Sequence, residues 1–274
     1  MSILFGAMNH PGKPAKDEVL SIAADGFDYC DFTYEGPGGI ITIAQAKEMR
    51  QFVCTQMGYS NFSFLGHTFF DLKYASEFPS TFDGSVEVFK DAINLLSYLN
   101  APTITIHYDY GTPFIEEKVL IESHVRLFET LYEYMKKAHI PMKLVMENSP
   151  IGKDQVKNFK TIFEYAPYVG LHLDIAHALI TGGMDEVANF LEMGQNNRLL
   201  HVHISDNNGK ADEHLPIGVP HKTRHPWPEI MKLVKKSGYG TGSHNRTITL
   251  EIFSEDHWNR IHSLDIIREL WEKA

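Results

Sequence analysis

Short runs with the two-residue period of a β-strand alternate with longer runs of helical period along the whole chain, and this alternation restricts the fold more than any other feature. The strand-like runs are Ile3–Met8, Phe27–Phe32, Phe62–Gly66, Thr103–His107, Lys143–Glu147, Val169–Asp174, Leu199–Ser205 and Thr247–Phe253. Between them, Ile115–Ala138 carries Ile115, Val119, Leu120, Leu127, Phe128, Leu131 and Met135 at spacings of mostly three and four, which predicts an amphipathic helix. Ala44–Met57, Gly84–Leu99, Pro228–Ser237 and His257–Trp271 read as further helices, and Asp185–Leu191 as a shorter one. Eight strand-then-helix units in 274 residues, with no linker, charge block or low-complexity tract between them, predict a single (β/α)8 barrel forming one domain over residues 1–274. An open doubly wound sheet shares the alternation. Closure is favoured because chemically active side chains fall at the carboxyl ends of several different strands, where a barrel gathers them.

Composition narrows the chemistry. An apolar content of 43% is enough to bury a full core. The longest apolar stretches, such as Leu199–Ile204, are strand-sized and far short of the ~20 residues of a membrane span. Met1–Met8 has no basic segment and no small-residue cleavage site, so no signal peptide is expected and the expected compartment is the cytoplasm. Cys30 and Cys54 sit in no metal-binding spacing and read as small buried fillers. The net charge of −10 argues against a surface built to hold polyanions, although each divalent cation held by carboxylates would offset two of those charges. Fifteen histidines beside two cysteines direct attention to nitrogen and oxygen ligands.

The period-two alternation shows which side chains would face the barrel interior. In Thr103–His107, Ile104 and Ile106 share the outer face and His107 points inward. By the same phase Glu147 faces inward beyond Leu144 and Met146, Asp174 beyond Leu171 and Leu173, His203 between Val202 and Ile204, and Glu251 between Leu250 and Ile252. His67 lies on the face opposite Phe62 and Phe64. Six consecutive strands thus each end in an inward His, Asp or Glu, and His177, Asp212 and His214 follow in the adjoining loops. Four carboxylates and five imidazoles in one concavity would be strongly unfavourable without bound cations, because desolvation and like-charge repulsion act together. His172 and His201 fall one layer deeper and read as structural.

Gly66-His67, Ile106-His107, Met146-Glu147-Asn148, Leu173-Asp174-Ile175-Ala176-His177, His201-Val202-His203-Ile204-Ser205-Asp206, Asp212-Glu213-His214-Leu215-Pro216-Ile217-Gly218 and Leu250-Glu251-Ile252 occur in this order. Together they resemble the xylose isomerase-like barrel superfamily, which includes sugar phosphate isomerases and epimerases and endonuclease IV (AP endonuclease family 2). The resemblance implies one divalent metal on Glu147, Asp174, His203 and Glu251. From the endonuclease IV branch it implies two more, one on His67, His107 and Glu147, the other on His177, Asp212 and His214. Such mixed ligands suit zinc, manganese or cobalt, in one to three ions per chain.

Two activities follow from the resemblance. In an isomerase or epimerase acting on a small sugar, sugar phosphate or related polyol, Glu147 and Glu251 would be catalytic, moving a proton beside the carbonyl through an enediolate. In an endonuclease IV-like enzyme, three zinc ions would serve phosphodiester cleavage at abasic sites in DNA. The loop Thr33-Tyr34-Glu35-Gly36-Pro37-Gly38-Gly39 lacks a basic residue where endonuclease IV carries a DNA-gripping one, which favours the isomerase. Lys13, Lys73, Lys153 and Lys210 are scattered, and Lys222 and Arg224 form one local cluster suited to a substrate phosphate or carboxylate. Phe69, Phe70 and Tyr74 follow His67, with Phe70 placed to stack on a substrate and lid or core packing as the competing role. No membrane partner is expected, and no exposed heptad or apolar stripe specifies an oligomer.

Overall fold

The computed structural model describes residues 3–152, 154–218, 225–240 and 246–274. Eight parallel strands close on themselves in sequence order: β1 Ile3–Met8, β2 Tyr29–Tyr34, β3 Ser63–Thr68, β4 Thr103–His107, β5 Lys143–Glu147, β6 Gly170–Asp174, β7 Leu199–Ile204 and β8 Arg246–Leu250. The seam pairs β1 with β8, from Ile3 opposite Arg246 to Ala7 opposite Leu250. The helices are α1 Ala15–Ala24, α2 Ile43–Gln51 running into a π-helical turn at Phe52–Gln56, α3 Pro79–Tyr98, α4 Glu117–Lys137, α5 Gln155–Tyr165, α6 Ile175–Met193, α7 Trp227–Lys236 and α8 His257–Lys273. The expected (β/α)8 barrel is therefore the observed one.

The core lies between the barrel's outer face and the helix ring. Ile104 and Ile106 of β4 and Leu171 and Leu173 of β6 are fully buried there, against helical residues such as Leu127, Phe128 and Leu131 of α4 and Phe159 and Ile162 of α5. Among the described residues no helix is long and apolar enough to cross a membrane. Cys30 is buried and Cys54 half-buried, both as free thiols.

Strand register sets the height of the polar side chains. Glu147 of β5 lies opposite His107 of β4 and His172 of β6, Asp174 of β6 opposite His203 of β7, and His203 opposite Thr249 of β8. Most boundaries differ from the sequence expectation by one to five residues. Two elements escaped it: α1, whose buried face is only Ala15, Val19, Ile22 and Ala23, and α5, which begins after Asp154 in a left-handed conformation (φ 55°). The expected short helix at Asp185–Leu191 is the second part of the longer α6, which is interrupted at Gly183, where φ is 66°.

Candidate metal centre

The side chains singled out in the sequence meet at the carboxyl end of the barrel. Glu147, Asp174, His203 and Glu251, all buried, place one ligand-type atom each within 4.8 Å of one another, as do His67, His107 and Glu147. His177 and His214 are joined through Asp212, whose Oδ2 lies 3.0 Å from His177 Nε2 and 3.1 Å from His214 Nε2. A cavity of about 350 Å³ opens above, lined by His67, His107, His177, Asp212, His214 and Glu251 among others. All nine expected positions therefore converge on one place.

Local structure explains several orientations. Asp174 ends β6 and caps α6: its Oδ1 accepts from His177 N at 2.6 Å, which satisfies an orphan helix amide and brings the two side chains together. Asn148 clamps the Asp174 backbone from both sides, accepting from its N at 2.8 Å and donating to its O at 2.9 Å. His177 Nδ1 donates to the Asn148 carbonyl at 2.8 Å, which leaves Nε2 for Asp212. His67 Nε2 lies 2.8 Å from His107 Nε2, and Glu147 Oε2 lies 3.4 Å from each ring.

The electrostatics describe a site short of positive charge at its centre. Burial pushes the Glu147 carboxyl well above the usual range, with Glu251 and Asp174 adding to the rise and His203 and His177 opposing it. Burial likewise lifts Asp174 to about 6. Burial would lift Glu251 too, but His214 and His203 outweigh it and hold this carboxyl well below its ordinary value. Asp212 is lowered against burial by His177 and His214. Burial opposes protonation of His177, His203 and His214, yet the surrounding carboxylates raise all three, His214 to about 9. His67 and His107 are lowered, first by burial, His67 to about 4.

The donor set fits a divalent cation. Both oxygens of Glu147 and Oδ2 of Asp174 are buried without a hydrogen-bond partner. Such orphans are costly, and a cation amid three carboxylates and an imidazole would relieve them.

Other expectations fare differently. Phe70 is 59% exposed on the cavity wall, with its ring 6.2 Å from that of His107. Tyr74 is core packing, edge-on to Phe89 and hydrogen-bonded to the His107 carbonyl. Lys13 pairs with Glu255, and Lys73 with Asp71 and Asp109. Lys153, Lys222 and Arg224 lie outside the described residues. His172 and His201, read as structural, are buried beside the site: His172 Nδ1 is 3.0 Å from Thr105 Oγ1 and 3.5 Å from Glu147 Oε2, His201 Nε2 is 2.8 Å from Asp31 Oδ2, and each has ligand-type atoms grouped closely with His203. Sequence reasoning missed Asp31 and the cavity-lining Glu35. The signal for Asp31 was its shared phase with Tyr29 and Thr33, opposite the apolar Cys30 and Phe32.

The chain belongs to the xylose isomerase-like TIM barrel family, whose profile matches residues 20–271. Among solved structures it is similar to a D-tagatose 3-epimerase-like protein, with 24% identity, a TM-score of 0.77 and coverage of 98% of this chain and 97% of that one. It is also similar to the D-psicose 3-epimerase of Clostridium cellulolyticum H10 (18% identity, TM-score 0.70, 98% and 99% covered). The 3-keto-D-glucoside 4-epimerase of E. coli is a third (14% identity, TM-score 0.70, 98% and 100% covered). At these identities the likeness shows the fold. No curated protein matches the chain in sequence.

Proposed function

We propose that this chain is a divalent-metal-dependent epimerase or isomerase of a small sugar, sugar phosphate or related polyol. The observation that carries the reading is the buried set Glu147, Asp174, His203 and Glu251, which reaches a cavity of about 350 Å³ through Glu251 on its lining. Its similarity in fold to enzymes named as ketose and keto-glycoside epimerases supports the same class of substrate. Bound to these four side chains, a zinc, manganese or cobalt ion would supply Lewis-acid polarisation of a carbonyl and its neighbouring hydroxyl.

The residues of the chain then divide the proton transfer. Glu147 ends β5 and Glu251 follows β8, three strands away around the barrel, and each offers a carboxyl oxygen within 4.8 Å of the other's. One removes the proton from the carbon beside the carbonyl, and the other returns a proton to the resulting enediolate. Phe70 on the wall offers a ring face to the sugar. Lys222 and Arg224 are the proposed partners of a substrate phosphate or carboxylate, on the strength of the sequence. Residues 1–274 are taken as one domain, working in the cytoplasm.

The convergence of all nine residues favours one competing reading, a trinuclear zinc phosphodiesterase acting at abasic sites. Against it, the described lining of the cavity contains no Lys or Arg, while Phe70, Tyr110, Ile151 and Phe253 are apolar or aromatic. The test is to incubate the metal-loaded protein in deuterated water with ketopentoses, ketohexoses and their phosphates, following each by NMR. Deuterium entering next to the carbonyl as an epimer or isomer forms is the expected result. Cleavage of an abasic-site duplex, abolished by Glu251→Gln, with every sugar unchanged, would overturn the proposal.

A further inference from the structure

Below the mouth of the barrel lies a second polar layer that the proton transfer does not use. Its centre is Asp31 of β2, fully buried although its chain neighbours Cys30 and Phe32 face the apolar core. Asp31 Oδ2 lies 2.7 Å from His203 Nε2, 2.8 Å from His201 Nε2 and 3.4 Å from Thr249 Oγ1. His201 is itself braced by Thr247, whose Oγ1 is 2.7 Å from His201 Nδ1. The carboxylate is thus held through Oδ2, which also lies 3.9 Å from His67 Nδ1.

His203 connects this layer to the site above. While Nε2 meets Asp31, Nδ1 faces the carboxylates, 2.9 Å from Glu251 Oε2, 3.8 Å from Glu147 Oε1 and 4.0 Å from Asp174 Oδ2. A ligating imidazole carries one ring proton, and the partner of its second nitrogen decides where that proton sits. A carboxylate accepts only, and without a metal Asp31 and Glu251 each accept from one ring nitrogen; were Glu251 to ligate a cation, Nδ1 would exchange its proton for that ion while Asp31 keeps the one on Nε2. We propose that Asp31 is a positioning residue for a metal ion at Glu147, Asp174, His203 and Glu251, fixing the tautomer and the ring plane of His203. This inference rests on the metal-centred reading of the site. It gives β2, which supplies none of the nine converging residues, a part in holding the metal.

The experiment uses zinc as the probe. In zinc-loaded protein, long-range proton–nitrogen NMR correlations identify the His203 ring as the one lost in His203→Gln, and show which of its nitrogens bears the proton. The proton is expected on Nε2, with Nδ1 at a metal-bound shift. Chelator competition then compares zinc affinity in the wild type, Asp31→Ala and Asp31→Asn. Asp31→Ala is expected to weaken binding by ~10–100-fold, and Asp31→Asn, which keeps an accepting oxygen, to recover part of that loss. A His203 proton on Nδ1, or an Asp31→Ala protein that binds zinc within about twofold of the wild type, would overturn the inference and leave the metal site standing. If Asp31→Ala does not fold, the position of the proton in the wild type decides alone. Wild-type protein that takes up no zinc would overturn the metal reading and this inference together.

Discussion

Glu147 links the group of His67 and His107 to that of Asp174, His203 and Glu251, and both of its oxygens lack a hydrogen-bond partner, so the site should depend on it strongly. Glu147→Gln keeps the shape but removes the charge. It is expected to lower turnover of the sugar substrate by at least ~100-fold, as is Glu251→Gln, when initial rates are compared at saturating metal. The titration state gives a second prediction. Among the four proposed ligands His203 and Glu147 are both raised, so the metal-free site holds protons that these ligands must lose. Metal uptake should therefore release protons, and affinity should strengthen as pH rises. Calorimetry in buffers of different ionisation enthalpy measures the release. Affinity unchanged between pH 6 and about 8 would contradict this prediction.

At the level of elements, the barrel should depend on buried helix faces far more than on exposed caps. Leu127 of α4 is fully buried against the strands, and Leu127→Ala should cost about 2–5 kcal/mol in denaturant unfolding. Thr42 caps α2 at the surface in a reciprocal arrangement with Gln45, and Thr42→Ala should cost only about 1 kcal/mol. What the sequence revealed at this scale follows from the strength of each pattern. α4 was legible because Leu120, Leu127, Phe128, Leu131 and Met135 form a broad apolar stripe. α1 was not, because alanines supply half of its buried face and carry little hydrophobic contrast. α5 was hidden for another reason: buried Gln155 and Asn158 occupy positions that an apolar periodicity would fill, serving the hydrogen bonds of the β5–α5 loop and Tyr108 instead. β2 was cut short at Phe32, and Asp31 was passed over because one carboxylate between two apolar residues carries no motif. Its role depends on His201 and His203, which are 170 and 172 positions away.

For the whole molecule, closure of the barrel turns residues from five strands, the first turn of α6, the β7–α7 loop and the segment after β8 into one site, and it makes the site and the fold interdependent. Nine side chains were legible from alternation and from the resemblance, because polar groups at strand ends stand out against buried Ile, Leu and Val. Of the second layer His201 was legible in the same way, but Asp31 was not, since only the folded barrel brings it against His201 and His203. An ion that binds the folded barrel alone stabilises it by mass action, about 2.7 kcal/mol at a hundredfold excess over its dissociation constant. Chelation should accordingly lower the unfolding temperature by several degrees, and readdition of metal should restore it, as a thermal scan would show. The central claim, a cation held by Glu147, Asp174, His203 and Glu251, is tested most directly by metal content per chain. The measurement is mass spectrometry on protein purified without chelator or added metal, with Glu147→Gln and Asp212→Asn beside it. The account predicts a bound ion that survives Asp212→Asn and disappears in Glu147→Gln. Wild-type protein without any ion, or one with close to three ions that fall away in Asp212→Asn, would contradict it.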